Sequence, residues 1–290
     1  MFEVNRQQRK ISNLISASTF LAVILTLAVP SFSQSIAVFA PAENEFSSKV
    51  EESLTNALET RFRMVDADLA RTAFDSLDVE RPYNLTKEDG VRFGMSSGCN
   101  YFVLILSNRY RRTSFEREEY YDAFAAYFLV SGRTGRLVEW KFVNFEEDNP
   151  KSAADKLLDS VRGTARQLRD RIIATDRNEI AEESISIEEL PLVGSPDARE
   201  FRPPLPYRRM RPKYTRLAGI HDVVATVDVA VDIGETGKVL RTEILRWAGF
   251  GLDEAVRKTV HSMNWRPAER KGEKVAMRIL LRYNFKDLAD

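Results

Sequence analysis

One cysteine, two histidines and no surplus of either charge among 290 residues remove several chemistries at the outset. Cys99 alone can close no internal disulfide and cannot build a zinc site of several thiolates. His221 and His261 lack a second histidine, or a carboxylate, at ligand spacing, so neither a metal nor a cofactor is expected. Lysine plus arginine equals aspartate plus glutamate at 43 each, which leaves no global basic field to hold nucleic acid. The nucleophile elbow, the phosphate loop and the dinucleotide fingerprint are missing as well. Gly249-Phe250-Gly251 is too short to cradle a phosphate and reads as a helix entrance. Glu116, Glu118 and Glu119 alternate with arginines in what reads as an exposed loop, and Cys99 reads as a small buried residue before a strand. No catalytic residue is nominated.

What is present begins with a targeting segment. Arg6, Arg9 and Lys10 precede an apolar run from Ile11 to Val29, Pro30 breaks it, and Ser31-Phe32-Ser33 offers small residues for cleavage between Ser33 and Gln34. Export is expected. The run approaches bilayer-spanning length, so residues 1–33 read either as a cleaved signal peptide or as a retained inner-membrane anchor. With no cysteine near the segment, a lipidated mature N-terminus is not expected.

Residues 34–175 alternate strand and helix patterns. Ser35–Phe39 reads as a buried strand, and Phe46, Val50, Leu54 and Leu58 trace one side of a helix. Phe62–Val65 reads as a short strand, Thr86 with Asp89 as a capping box, and Tyr101–Leu106 as a third strand. Two longer strands, about 120–130 and 137–145, are joined at Gly132-Arg133-Thr134-Gly135, and Asn149-Pro150 opens a long helix. The next stretch, 176–205, turns acidic and then rich in proline and arginine, which reads as a linker. Its basic end, running to Lys213, suits a solvated linker end, lipid or glycan acids, or the acidic flanks of a peptide partner.

Residues 206–290 read as a small ββαβ domain. Val223 to Val231 alternate, Gly234-Glu235-Thr236-Gly237 turns the chain, and a second strand runs from Val239 to Trp247. Leu252, Ala255, Val256, Thr259, Val260 and Met263 share one helical face, and Pro267 ends that element. In the last strand Val275, Met277, Ile279, Leu281, Tyr283 and Phe285 point one way while Arg278, Arg282 and Asn284 point the other. The fold class expected is α+β, with a mixed α/β layer followed by this antiparallel module.

Leu252-Asp253 with Ala255, the Trp265-Arg266-Pro267-Ala268 exit, Gly272 with Val275 and the terminal Phe285 together resemble the C-terminal domain of the TonB family. Thr215 stands where that family commonly has a second proline, and Asp222 where a glycine precedes the first strand. The resemblance implies a periplasmic module that binds the extended motif of an outer-membrane receptor by strand addition, in energy-coupled transport. It nominates the edge strand Val275, Ala276, Met277, Arg278, Ile279, Leu280, Leu281, Arg282 and Tyr283, with Pro212 and Tyr214 seating the peptide. The first domain resembles the N-terminal domain of TolB and the periplasmic part of CsgG-type proteins, through the early strand ending at Pro41, Arg61–Asp66, Leu85–Asp89 and Thr134–Val138. A second function stays open: an assembly or secretion accessory that oligomerises, with the last domain forming a homodimer through its edge strand.

Overall fold

The structure is a computed structural model that describes residues 34–42, 44–179 and 201–286. The targeting segment with Ser33, and the acidic run 180–200, lie outside the described residues. Strand β1 (Ser35–Phe39) is buried on both faces, as a central strand of alternating Ile36/Val38 and Ala37/Phe39 must be. Helix α1 (Glu45–Leu58) starts at Asn44, whose side chain accepts from the N–H groups of Phe46 and Ser47 while Ser47 closes the capping box. After β2 (Arg63–Met64) come α2 (Ala67–Asp75), capped by Asp66, and α3 (Lys87–Ser97), whose Thr86–Asp89 box is formed as the sequence predicts. Strands β3 (Tyr101–Arg112), β4 (Tyr120–Ser131) and β5 (Leu137–Glu147) lead into the long helix α4 (Pro150–Glu179).

These strands form one sheet in the order β2-β1-β3-β4-β5, parallel from β2 to β3 and antiparallel beyond. One face carries Ile36, Val38, Tyr101, Val103 and Ile105 under α1 and α4, whose Leu54, Leu157, Val161 and Leu168 are fully buried. The other face carries Phe39, Phe102, Leu104 and Phe128. It is covered partly by α2 and α3, through Phe74 and Phe93, and partly by the C-terminal third of the chain. Burying one such phenylalanine contributes roughly 1.5–3 kcal/mol.

The C-terminal third begins with two short ladders: β6 (Phe201–Arg202) pairs with β11 (Ala268–Arg270), and β7 (Leu205–Pro206) pairs with β10 (Trp265–Arg266). Helix α5 (Arg216–Ile220) precedes β8 (Ala225–Ile233) and β9 (Val239–Arg246), then α6 (Leu252–Ser262). The hairpin from β11 to β12 (Glu273–Val275) turns on Lys271 and Gly272, both at positive φ, as a two-residue turn of the primed type requires. Strand β13 (Met277–Phe285) closes a three-stranded antiparallel sheet in the order β13-β8-β9, with Val256 and Val260 of α6 in the shared core. The overall α+β class and the small antiparallel C-terminal sheet match the reading of the sequence.

The two thirds of the chain share one hydrophobic cluster and one set of buried hydrogen bonds. Trp247 and Phe250 pack on Phe128 and Trp140 of the large sheet, with Phe128 and Trp247 ring centroids 5.3 Å apart. This approach requires Gly249, because a Cβ there would lie 2.5 Å from Trp140 Nε1. The Asn84 amide donates to the carbonyls of Thr226 and Trp247 at 2.8 and 2.7 Å and accepts the Thr226 N–H at 2.9 Å. Glu243 on β9 accepts from Lys87 at 2.5 Å and Arg136 at 3.0 Å, and these two cations hold its carboxyl below the usual range against the effect of burial.

Candidate functional site

Strand β13 pairs with β8 without a break from Met277↔Ile233 to Phe285↔Ala225. Among the described residues it has no ladder partner on its other side. In an antiparallel ladder alternate residues turn both N–H and C=O to the same side, so about four of the nine present unpaired groups outward. Met277, Ile279, Tyr283 and Phe285 anchor the strand in the core. On the wet face Arg278 makes a two-pronged contact to Asp232 at 2.7 and 3.0 Å, and Arg282 makes the same contact to Asp228. Leu280 stands between them, 67% exposed. The strand is therefore clamped to its neighbour by side chains and core while its margin is open.

The nominated residues divide along this line. Met277, Arg278, Ile279, Leu280, Leu281, Arg282 and Tyr283 lie in the edge strand. Val275 belongs instead to the β11–β12 hairpin, opposite Ala268, and Ala276 is the link between the two ladders. The alternation of Val275 with Met277 runs unbroken through the sequence, which is why periodicity alone joins two strands that pair with different neighbours, β12 with β11 and β13 with β8.

Pro212 and Tyr214 sit across a groove of about 880 Å³ from the end of the strand, with residues 209–214 on one wall and 282–286 on the other. Tyr214 is a fixed part of that wall. Its ring stacks near Phe285, with centroids 6.5 Å apart, and its single hydroxyl proton is shared between the carbonyls of Ala218 and Val223, 3.1 and 3.0 Å away. The two departures from the family pattern are accommodated here. Thr215 caps α5 by accepting the Ala218 N–H and donates its hydroxyl to the Phe250 carbonyl at 2.6 Å. Asp222 adopts φ 48, the left-handed conformation that glycine fills most easily and aspartate tolerates. Tyr283 lines the groove from the core side. Its hydroxyl is buried without a hydrogen-bond partner among the described residues, and that burial raises its pKa against the opposing charge of Arg209.

Arg209, Arg211 and Lys286 also line this groove; the sequence leaves the first two open between a solvated linker end, lipid or glycan acids and the acidic flanks of a peptide, and does not nominate Lys286. The basic run containing the first two is visible there, but its position beside the last strand depends on the short ladders that tie 201–206 to β10 and β11. The remaining candidates fall where their plainer readings put them. Cys99 is buried, and burial pushes its thiol up to about 11. His261 is exposed on α6 within 3.4 Å of the Thr242 hydroxyl. His221 ends α5 and packs on Phe124, Phe142 and Phe250, where burial and then Arg112 lower its pKa. Glu119 pairs with Arg111 in an exposed connection. Among the described residues no cluster of three histidine, cysteine or acidic side chains could hold a metal ion.

Residues 210–286 match the family model of the Gram-negative bacterial TonB protein C-terminal. The matched stretch takes in α5, the β13-β8-β9 sheet, α6 and both walls of the groove apart from Arg209, and proteins of that family are non-catalytic. Among solved structures, the chain is similar to the Pseudomonas aeruginosa TonB C-terminal domain at 20% identity, covering 37% of this chain and 99% of that one with a TM-score of 0.27. It is also similar to lipoprotein GNA1162 from Neisseria meningitidis, at 12% identity over 52% of this chain and 99% of that one, TM-score 0.31. The PelC dodecamer from Paraburkholderia phytofirmans matches at 12% identity over 44% and 83% of the two chains, TM-score 0.27. No TolB protein is among these three, and the N-terminal likeness to TolB rests on its sequence motifs alone. No curated protein matches the chain in sequence.

Proposed function

We propose that residues 206–290 form a module that takes up an extended peptide of another envelope protein by strand addition along Met277–Phe285. The observation that carries this is the nine-residue strand paired, among the described residues, on one side only, with a groove opening along the end of its free margin. Four to six backbone hydrogen bonds at roughly 0.5–1.5 kcal/mol net each give a few kcal/mol before ordering costs, so affinity from the backbone alone is modest. The family match supports the reading, since the partner implied by resemblance is the short motif of an outer-membrane receptor. The segment 34–175 serves as a rigid mount, because its sheet packs directly on Trp247 and Phe250.

Export to the cell envelope belongs to the same reading, with residues 1–33 as the targeting segment. Among the described residues no helix is long and apolar enough to cross a membrane. Hydrogen exchange tests the central step. Peptides from receptor N-termini are expected to slow exchange of alternate amides in Met277–Phe285 and to leave β9 unchanged. No slowing at millimolar peptide, together with a concentration-dependent dimer protecting the same amides, would assign the edge to a second copy of this chain.

A further inference from the structure

Resting on the strand addition proposed above, we infer that the segment this groove accepts carries acidic residues beside its extended core, and that Arg209, Arg211, Lys213 and Lys286 read them. On the wet face of β13 and its neighbours three arginines are matched: Arg278 by Asp232, and Arg282 and Arg246 by Asp228. The groove is different. Among the described residues it is lined by five cations and by no carboxylate, and of the five only Arg282 has a described acidic partner. Arg209, Arg211, Lys213 and Lys286 are exposed and make no ion pair with another described residue. They belong to the two walls between which the free margin of β13 ends, so a peptide hydrogen-bonded along that margin runs its end between them. Tyr214, Pro212 and Phe285 supply apolar surface in the same groove, which suits a peptide of alternating apolar and acidic side chains.

The occupant is a peptide because the unmatched charge lies beside an unpaired backbone edge. A lipid headgroup or a glycan acid would use the guanidinium groups and leave the edge amides unpaired. Exposed charge pairs are each weak, so two carboxylates are expected to raise affinity about 5- to 25-fold at low salt. The gain falls away at 1 M salt, where the screening length is about 3 Å.

The test uses the whole chain and three fluorescent peptides with one extended Val-Thr core, flanked by two glutamates, two glutamines or two lysines. Anisotropy is read in 50 mM and 1 M NaCl, with hydrogen exchange followed on β13. The expected result is glutamate over glutamine by 5- to 25-fold, lysine weakest, the three converging in 1 M NaCl, and the glutamate advantage lost in an Arg209→Gln/Arg211→Gln double variant that still protects β13. Equal binding of all three with β13 protected overturns the charge preference and leaves strand addition standing. Binding of none overturns strand addition itself. Glutamate-peptide binding without protection of β13, or Arg209-dependent binding to phosphatidylglycerol vesicles in place of peptide, overturns the peptide assignment. A tenfold gain in peptide affinity after replacing Glu182, Glu183, Glu188 and Glu189 by glutamine would assign the groove to the chain's own acidic stretch.

Discussion

Asn84→Ala probes how firmly the C-terminal module is joined to the large sheet. The wild-type side chain is 6% exposed and serves three backbone groups 142 and 163 residues away: the Thr226 N–H, the Thr226 carbonyl and the Trp247 carbonyl. Alanine leaves all three without a side-chain partner. At about 1 kcal/mol net per lost hydrogen bond the cost is about 3 kcal/mol, and more where water fails to replace the amide. For a body of this size that corresponds to a fall in Tm of roughly 6–12 °C. Calorimetry of the whole chain, with tryptophan fluorescence and far-UV circular dichroism followed in parallel, is expected to show the two optical probes falling together at the lower temperature. A shift under about 1 °C, or two transitions of which only one moves, would refute the reasoning. Asn84→Asp adds a sign check. Its carboxylate still accepts from Thr226 N–H but faces two carbonyl oxygens with no proton to donate, so the folded state favours the protonated acid. Stability of that variant is expected to rise as pH falls toward the acid's unfolded value near 4.

Asp253 accepts from the N–H groups of Ala248 and Gly249 at 3.0 and 2.8 Å, yet burial outweighs them and pushes its carboxyl up to about 6. Its folded value lies above its unfolded one, so its stabilising contribution is complete below about pH 4 and is lost as pH rises through 6. A carboxyl-carbon NMR titration is expected to centre near 6, and a midpoint near 4 would show that the two amides win instead. Gly94→Ala places a Cβ 2.2 Å from the Gly132 carbonyl oxygen, a backbone atom, and is expected to cost about 3 kcal/mol in urea unfolding, the upper end for overpacking. A loss under 1 kcal/mol would mean that α3 slides freely on the β4–β5 turn. Cys99, with its thiol pushed up to about 11, is expected to react with iodoacetamide at pH 8 roughly 200-fold more slowly in the native protein than in denaturant. A ratio within tenfold would place the thiol in contact with solvent.

The parts of this fold that are legible in the sequence are those with long, regular alternation. Met277–Phe285 shows its core face directly in Met277, Ile279, Tyr283 and Phe285, and α6 shows its own in Leu252, Val256 and Val260. Helix α2 escapes a sequence reading because Arg71 and Thr72 interrupt a short run whose only buried residues are Ala70, Ala73 and Phe74, too few to set a period. Strands β6 and β7 have two residues each, and nothing in two residues reveals a partner more than fifty positions away. The candidate site is half legible for the same reason. The edge strand, Pro212 and Tyr214 announce themselves, whereas Arg209, Arg211 and Lys286 join them only through contacts between distant segments.

Synthesis order gives the shared core a further consequence. The sheet surface bearing Phe128, Trp140 and Phe142 is complete once β5 ends at Glu147, but its cap of Trp247 and Phe250 is made about a hundred residues later. At typical elongation speeds of about 5–20 residues per second, that greasy surface waits roughly 5–20 s for its lid. During that interval the surface is open to aggregation, and a chain ending after α4 would leave it uncovered.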